Sequence, residues 1–171
     1  MRVTAFYQDV TRVKADIFVA GFTGEVRPPR GLVGKVDWYL GGFISRQILE
    51  GTLSLEPGDM TLVAVQGKLL TPRLLLVGTN GAAGRDREGI AEHFRRLGAA
   101  VRDLRLRSVA LEVPDMETPK SGSFVILGET LAGFREAFSD RENPLHCEIQ
   151  VLARTEEESE GWRRIIRGLP R

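Results

Sequence analysis

Residues 74–89, LLLVGTNGAAGRDREG, decide the fold. An apolar run, Leu74 to Val77, ends in three glycines, Gly78, Gly81 and Gly84, before a charged segment begins. Such a run bounded by glycine reads as a buried strand, and the periodic segment after it as a helix. The turn between them raises the question of a phosphate loop. A dinucleotide fingerprint needs Gly-x-Gly-x-x-Gly, so that backbone N–H groups can approach a pyrophosphate. Counting from Gly78, Asn80 and Ala83 stand where the second and third glycines belong, and no Lys-Ser/Thr pair follows to make a P-loop. The stretch therefore reads as a strand-to-helix turn in which Gly and Asn tolerate positive φ. Thr79, Asn80 and Gly81 stay as candidates for holding an anion at the helix N-terminus.

Outward from this unit, strands and helices alternate. RVTAFYQ and ADIFVAGFT read as strands, the second ended by Gly24. GEVRPPRGLVG, with Pro28 and Pro29, is expected to be irregular. One helix follows, with Val36, Leu40, Phe43, Ile44 and Ile48 at helical spacing and Gly51 at its stop. MTLVAVQ and TPRLLLVG are strands. The next helix carries Ile90, Phe94, Leu97, Val101 and Leu104, and SVALEVP is a strand. A third helix is expected from Thr118 and Pro119, with Phe124, Leu127, Leu131, Phe134 and Phe138 on its apolar stripe. LHCEIQVLA closes the strands, and Thr155 with Glu158 forms a capping box for the last helix. This order predicts an α/β layered domain with a mixed, largely parallel sheet, and no linker divides residues 1–171.

Composition narrows the chemistry. Lys+Arg 24 against Asp+Glu 23 gives a net charge of +1 over 171 residues, so whole-chain charge points to no polyanionic partner. Arg85 to Arg107 holds seven arginines against four acids, but no aromatic residue interleaves on that face for base stacking, which argues against nucleic acid. One cysteine, Cys147, excludes an internal disulfide and a multi-cysteine zinc site, and suits a cytoplasmic setting. No apolar run approaches the roughly 18 residues that span a bilayer, so no membrane role is expected. His93 lies within a helix and His146 beside Cys147 on a strand, where neighbours face opposite ways. No serine sits in a Gly-x-Ser-x-Gly elbow. Catalytic residues, metal ligands and cofactors are accordingly assigned as none.

KADIFVAGFTGE, GKVDWYLGGFISRQILEG, PGDMTLVAVQGKLLTPRLLLVGTN and LGAAVRDLRLRSVALEVP, in this order, resemble the N-terminal domain of the leucine (cytosol) aminopeptidase family. GETLAGFREAF matches a further helix, and the resemblance runs from about Asp16 to Leu152. It implies a macro-domain-like, three-layer α/β/α sandwich. The family's catalytic domain, with two metal ions and the run Asn-Thr-Asp-Ala-Glu-Gly-Arg, has no counterpart here. The resemblance thus implies first a non-catalytic interaction or regulatory domain that self-associates or docks on an aminopeptidase-like partner. A second reading is a binder of ADP-ribose or another nucleotide or phosphate ligand in a macro-like cleft. By that likeness Asp16 matches the position that contacts adenine, and Gly21, Phe22, Thr23 and Gly24 replace an Asn-Ala-Ala-Asn run. Only Gly31 and Gly34 stand for a triple-glycine loop. Pro114 to Gly122 would be the second phosphate loop, with Lys120, Ser121 and Gly122 beside the adverse charges of Asp115 and Glu117. A third reading is the family's metal-dependent aminopeptidase activity, for which the catalytic residues are missing.

Overall fold

The computed structural model describes residues 1–22, 28–54, 56, 58–65, 67–78, 87–113, 122–138 and 147–168. Its strands are β1 (Arg2–Tyr7), β2 (Ile17–Phe22), β3 (Met60–Ala64), β4 (Arg73–Gly78), β5 (Ser108–Glu112) and β6 (Glu148–Ala153). The helices are α1 (Gly31–Tyr39), α2 (Phe43–Leu49), α3 (Arg87–Asp103), α4 (Gly122–Ala137) and α5 (Glu156–Gly168), with a 3-10 turn at Val10–Arg12. One six-stranded sheet runs β1-β6-β5-β2-β4-β3. Every neighbouring pair is parallel except β3 with β4. The expected mixed, largely parallel sheet between two helical layers is what forms.

Alternation along the strands explains the layers. Ile17, Val19, Leu75, Val77, Val109, Leu111, Ile149 and Val151 share one buried cluster with Phe94 and Leu97 of α3, Leu127 and Phe134 of α4 and Trp162 of α5. Phe18, Ala20, Leu74, Leu76, Ala110 and Leu152 face the other cluster with Val33 and Val36 of α1 and Ile44 and Ile48 of α2. Burying each large apolar side chain contributes about 1.5–3 kcal/mol, so the two faces together hold the layers on the sheet. Close approach matters as well. A Cβ on Gly133 of α4 would meet Ala91 O of α3 at 2.4 Å, and one on Gly98 of α3 would meet Ala137 Cβ at 2.8 Å. The two glycines let α3 and α4 pack backbone to backbone.

Four sequence expectations need correction. The single helix from Val36 to Ile48 is two helices, because Gly41 and Gly42 take φ of +69° and +75°. The buried carboxylate of Asp37 takes over as the cap of the second helix, accepting from Ile44 N at 2.7 Å, Ser45 N at 3.2 Å and the Ser45 hydroxyl. GLVG, expected to be irregular, is the first turn of α1. Leu104 leaves the α3 stripe and is exposed, because the chain turns through Arg105 at φ +53° and sends Leu106 into the core instead. The capping box of α5 is displaced by one residue. Glu158 N donates to Thr155 Oγ1 at 3.1 Å as expected, but the Glu158 carboxylate accepts from Arg154 N at 2.7 Å. Thr118 and Pro119, the expected start of α4, lie outside the described residues.

Candidate functional site

The carboxyl ends of β1, β6, β5, β2 and β4 all point to one edge of the sheet, because these strands are mutually parallel. From β2 the chain passes through α1 and α2 on one face to the edge strand β3 and turns back into β4, and from β4 it returns past β2 to β5 by way of α3 on the other. In open α/β sheets a crevice opens where successive crossovers diverge to opposite faces, and ligands enter there. Here that point is the end of β2.

Register brings Gly21, Phe22 and Gly78 together at this point. Gly21 pairs with Val77 and Phe22 with Gly78. The two strands therefore end side by side, at Phe22 and Gly78. Gly122 opens α4, the helix that follows β5 in the chain. α1 starts close by. Its N-cap residue, Arg30, makes no side-chain cap hydrogen bond, and Gly31 has φ +63°. Gly34 allows the first turn to fold over Pro29, whose carbonyl oxygen lies 2.3 Å from where a Cβ would stand. A cavity of about 180 Å³ opens beside this start, lined by Pro28, Pro29, Ser45, Ile48 and Leu49. Thr23, Gly24, Thr79, Asn80, Gly81, Lys120 and Ser121 lie outside the described residues.

Asp16 is not brought to this edge. It precedes β2, and six residues of strand at about 3.3 Å each put it roughly 20 Å from Phe22. Its carboxylate accepts from Arg107 N at 2.7 Å and Ser108 N at 3.0 Å. Its own N–H donates to Ser108 Oγ at 2.9 Å, and Arg73 Nη1 donates to its carbonyl at 3.3 Å. The geometry makes Asp16 a clamp on the starts of β5, β2 and β4. The neighbouring Cys147 is buried, and burial first, then the Asp16 charge, pushes its thiol up to about 11. A thiol held neutral in this way is a poor nucleophile. His93 is half-buried in α3 with its ring edge-on to Phe94, centroids 5.4 Å apart. His146 lies outside the described residues, as does any test of its pairing with Cys147.

Two charged residues at the carboxyl edge escaped the sequence reading. Asp9 follows β1 and caps the 3-10 turn, accepting from Thr11 N at 2.9 Å and Thr11 Oγ1 at 2.6 Å. Those bonds hold its carboxyl below the ordinary range, with smaller help from the charges of Lys35 and Arg12. The signal was present as Asp-x-Thr, a local capping pattern. Arg154, just after β6, reaches Glu112 Oε1 of β5 at 3.8 Å and the Val113 carbonyl at 3.5 Å. Glu156, Glu157 and Glu158 in the first turn of α5 make the β6 flank of the edge acidic. Among the described residues, no three His, Cys, Asp or Glu side chains gather to hold a metal ion. No helix of the described residues is long and apolar enough to cross a membrane.

No protein-family model and no curated protein matches this chain. Solved structures do resemble it. A macrodomain of Oceanobacillus iheyensis with ADP superposes with a TM-score of 0.72 at 13% identity, covering 96% of this chain and 89% of its own. A Trypanosoma brucei macrodomain in complex with ADP-ribose gives 0.76 at 14% identity, covering 96% and 69%. A mutant of tomato leucine aminopeptidase gives 0.65 at 18% identity over 98% of this chain, which spans 35% of that protein. The fold is macrodomain-like.

Proposed function

We propose that this chain, as a single domain over residues 1–171, is a binding module for ADP-ribose or a similar nucleotide at the carboxyl edge of the sheet. The observation that carries the reading is the pairing of Gly21–Phe22 with Val77–Gly78 at the point where the crossovers diverge. Side-chain-free positions on neighbouring strands let a ligand approach the backbone, and the uncapped start of α1 offers N–H groups to an anion. The acidic first turn of α5 repels a diphosphate from the β6 flank, so the phosphates belong between the turns after β2 and β4. Gly21, Phe22, Thr23 and Gly24 would form one wall, and Gly78, Thr79, Asn80 and Gly81 the other. Lys120, Ser121 and Gly122 would close the site from β5. The likeness to macrodomains that hold ADP and ADP-ribose supports the same ligand class.

Isothermal titration calorimetry with ADP-ribose, ADP and AMP tests this. Saturable heat is expected, with ADP-ribose tightest. Gly21→Glu, which sets a carboxylate in the cleft, should weaken binding at least about tenfold while leaving the thermal transition in place. Absence of heat with all three ligands at millimolar concentration would dispose of the reading.

The second reading is a non-catalytic interaction domain of the aminopeptidase type, favoured by the match to about a third of the tomato enzyme. Under it the chain co-elutes with a full-length leucine aminopeptidase and binds no nucleotide.

A further inference from the structure

Among the described residues, no strand pairs with the outer edge of β3. Val65 N donates to Pro72 O at 3.1 Å, and Gly78 N donates to Asp59 O at 3.0 Å. With Met60 opposite Val77 and Ala64 opposite Arg73, the residues of β3 that bond β4 are therefore Thr61 and Val63. The N–H and C=O groups of Met60, Leu62 and Ala64 point away from the sheet. Strand edges of natural proteins are commonly blunted with charge or proline, yet β3 contains neither. Leu62 is 49% exposed, and Leu70, in the connection from β3 to β4, is exposed too. On the α2 side a cleft of about 300 Å³ runs along β3 between Phe43, Ile44, Gln47, Thr61 and Val63.

We propose that β3 pairs with β3 of a second copy of this chain, joining the two sheets across a two-fold axis at Leu62. The outward row is symmetric about that residue. In an antiparallel pairing Leu62 bonds the partner's Leu62, and Met60 and Ala64 bond the partner's Ala64 and Met60. The same register sets the two exposed Leu62 side chains against each other on one face, and Thr61 against the partner's Val63 on the other. Charge selects the antiparallel sense. Glu56 and Asp59 precede β3 and Lys68 follows it, so the acidic end of each strand meets the basic end of its partner, whereas a parallel pairing would set like against like. The other end of the described sheet, β1, starts at Arg2 and flanks a groove lined by Arg12 and Lys14 against the single acid Glu148, a net basic edge that disfavours self-pairing there. A five-residue seam with its neighbouring side chains is small for a permanent interface, so the dimer is a micromolar one.

Sedimentation equilibrium on the full chain, from about 1 µM to about 500 µM, reads this directly. The mass is expected to rise from 19.0 kDa towards twice that value. Leu62→Pro removes the outward N–H together with the leucine side chain and constrains the backbone there, and Leu62→Lys sets two ammonium groups at the axis. Each should weaken dimerisation at least about tenfold. Hydrogen exchange on the unmodified chain covers the case in which either variant misfolds. The amides of Met60, Leu62 and Ala64 should gain protection with concentration, while those of Thr61 and Val63 stay protected throughout. A mass of 19.0 kDa across the range, a dimer indifferent to both folded variants, or outward amides equally exposed at both concentrations would each overturn the proposal.

Discussion

Gly133→Ala is the sharpest test of how α3 and α4 are packed. The added methyl would stand 2.4 Å from Ala91 O, 2.7 Å from Arg95 N and 3.0 Å from Phe94 C. All three are backbone atoms of one helix, so no side-chain rotation relieves the contact. Restoring ordinary separation from the carbonyl requires α3 to move by about 1 Å. Overpacking of this kind costs about 3 kcal/mol at its upper range, and the better helix propensity of Ala returns up to about 1 kcal/mol. The expected net loss is about 2 kcal/mol, or a Tm lower by roughly 4–8 °C for a chain of this length. Gly128, on the same helix, has nothing within 4 Å of its Cβ position. Gly128→Ala should therefore gain up to about 1 kcal/mol from propensity alone. Urea unfolding of both variants followed by circular dichroism separates the two effects. If Gly133→Ala is neutral, or both variants move the midpoint in the same direction, the close-packing account is wrong.

Asp37→Ala leaves the N–H groups of Ile44 and Ser45 without their carboxylate partner and should cost about 3 kcal/mol. Asp37→Asn keeps an acceptor and should cost about 1 kcal/mol; equal losses in urea unfolding would contradict the capping role. Cys147 ionises near 11 in the folded chain against 9.0 ordinarily. The unfolded chain loses its proton first, so this group leaves stability intact below pH 9.0 and erodes it as pH rises towards 11. Cys147→Ala should fall less steeply over that range, and identical slopes for the two proteins would refute the assignment.

The sequence carried the layer architecture well because the strands around residues 74–78 are apolar without interruption, which only a doubly covered sheet permits. It concealed the break between α1 and α2 for a physical reason. Val36, Leu40, Ile44 and Ile48 keep the helical phase across Gly41 and Gly42, so periodicity alone sees one helix. The adjacent glycines were the available signal, and the buried cap, Asp37, was not separable from an ordinary solvent-facing helix acid. At the site, the glycine-ended strands were legible as strand ends, but their adjacency is a matter of register. Asp16 misled because its partners, Arg107 and Ser108, are about 90 positions away and bonded through their backbone N–H groups, which no spacing rule detects. Asp9 was readable as a cap from Thr11, but its place at the carboxyl edge follows only from the parallel pairing of β1 with β6.

That pairing also governs the order in which the molecule can be assembled. β1 runs from Arg2 opposite Glu148 to Tyr7 opposite Ala153, and Arg163 of α5 donates to Ala5 O at 2.8 Å. Its one strand neighbour among the described residues thus lies 146 residues later in the chain. β3 and β4, in contrast, close a hairpin within residues 60–78. β1 acquires its ladder only when the distant β6 segment is in place, and Val3 and Ala5 pack with the core only then. Loop-closure entropy therefore concentrates in a single late step, the docking of β1 between the end of the sheet and α5.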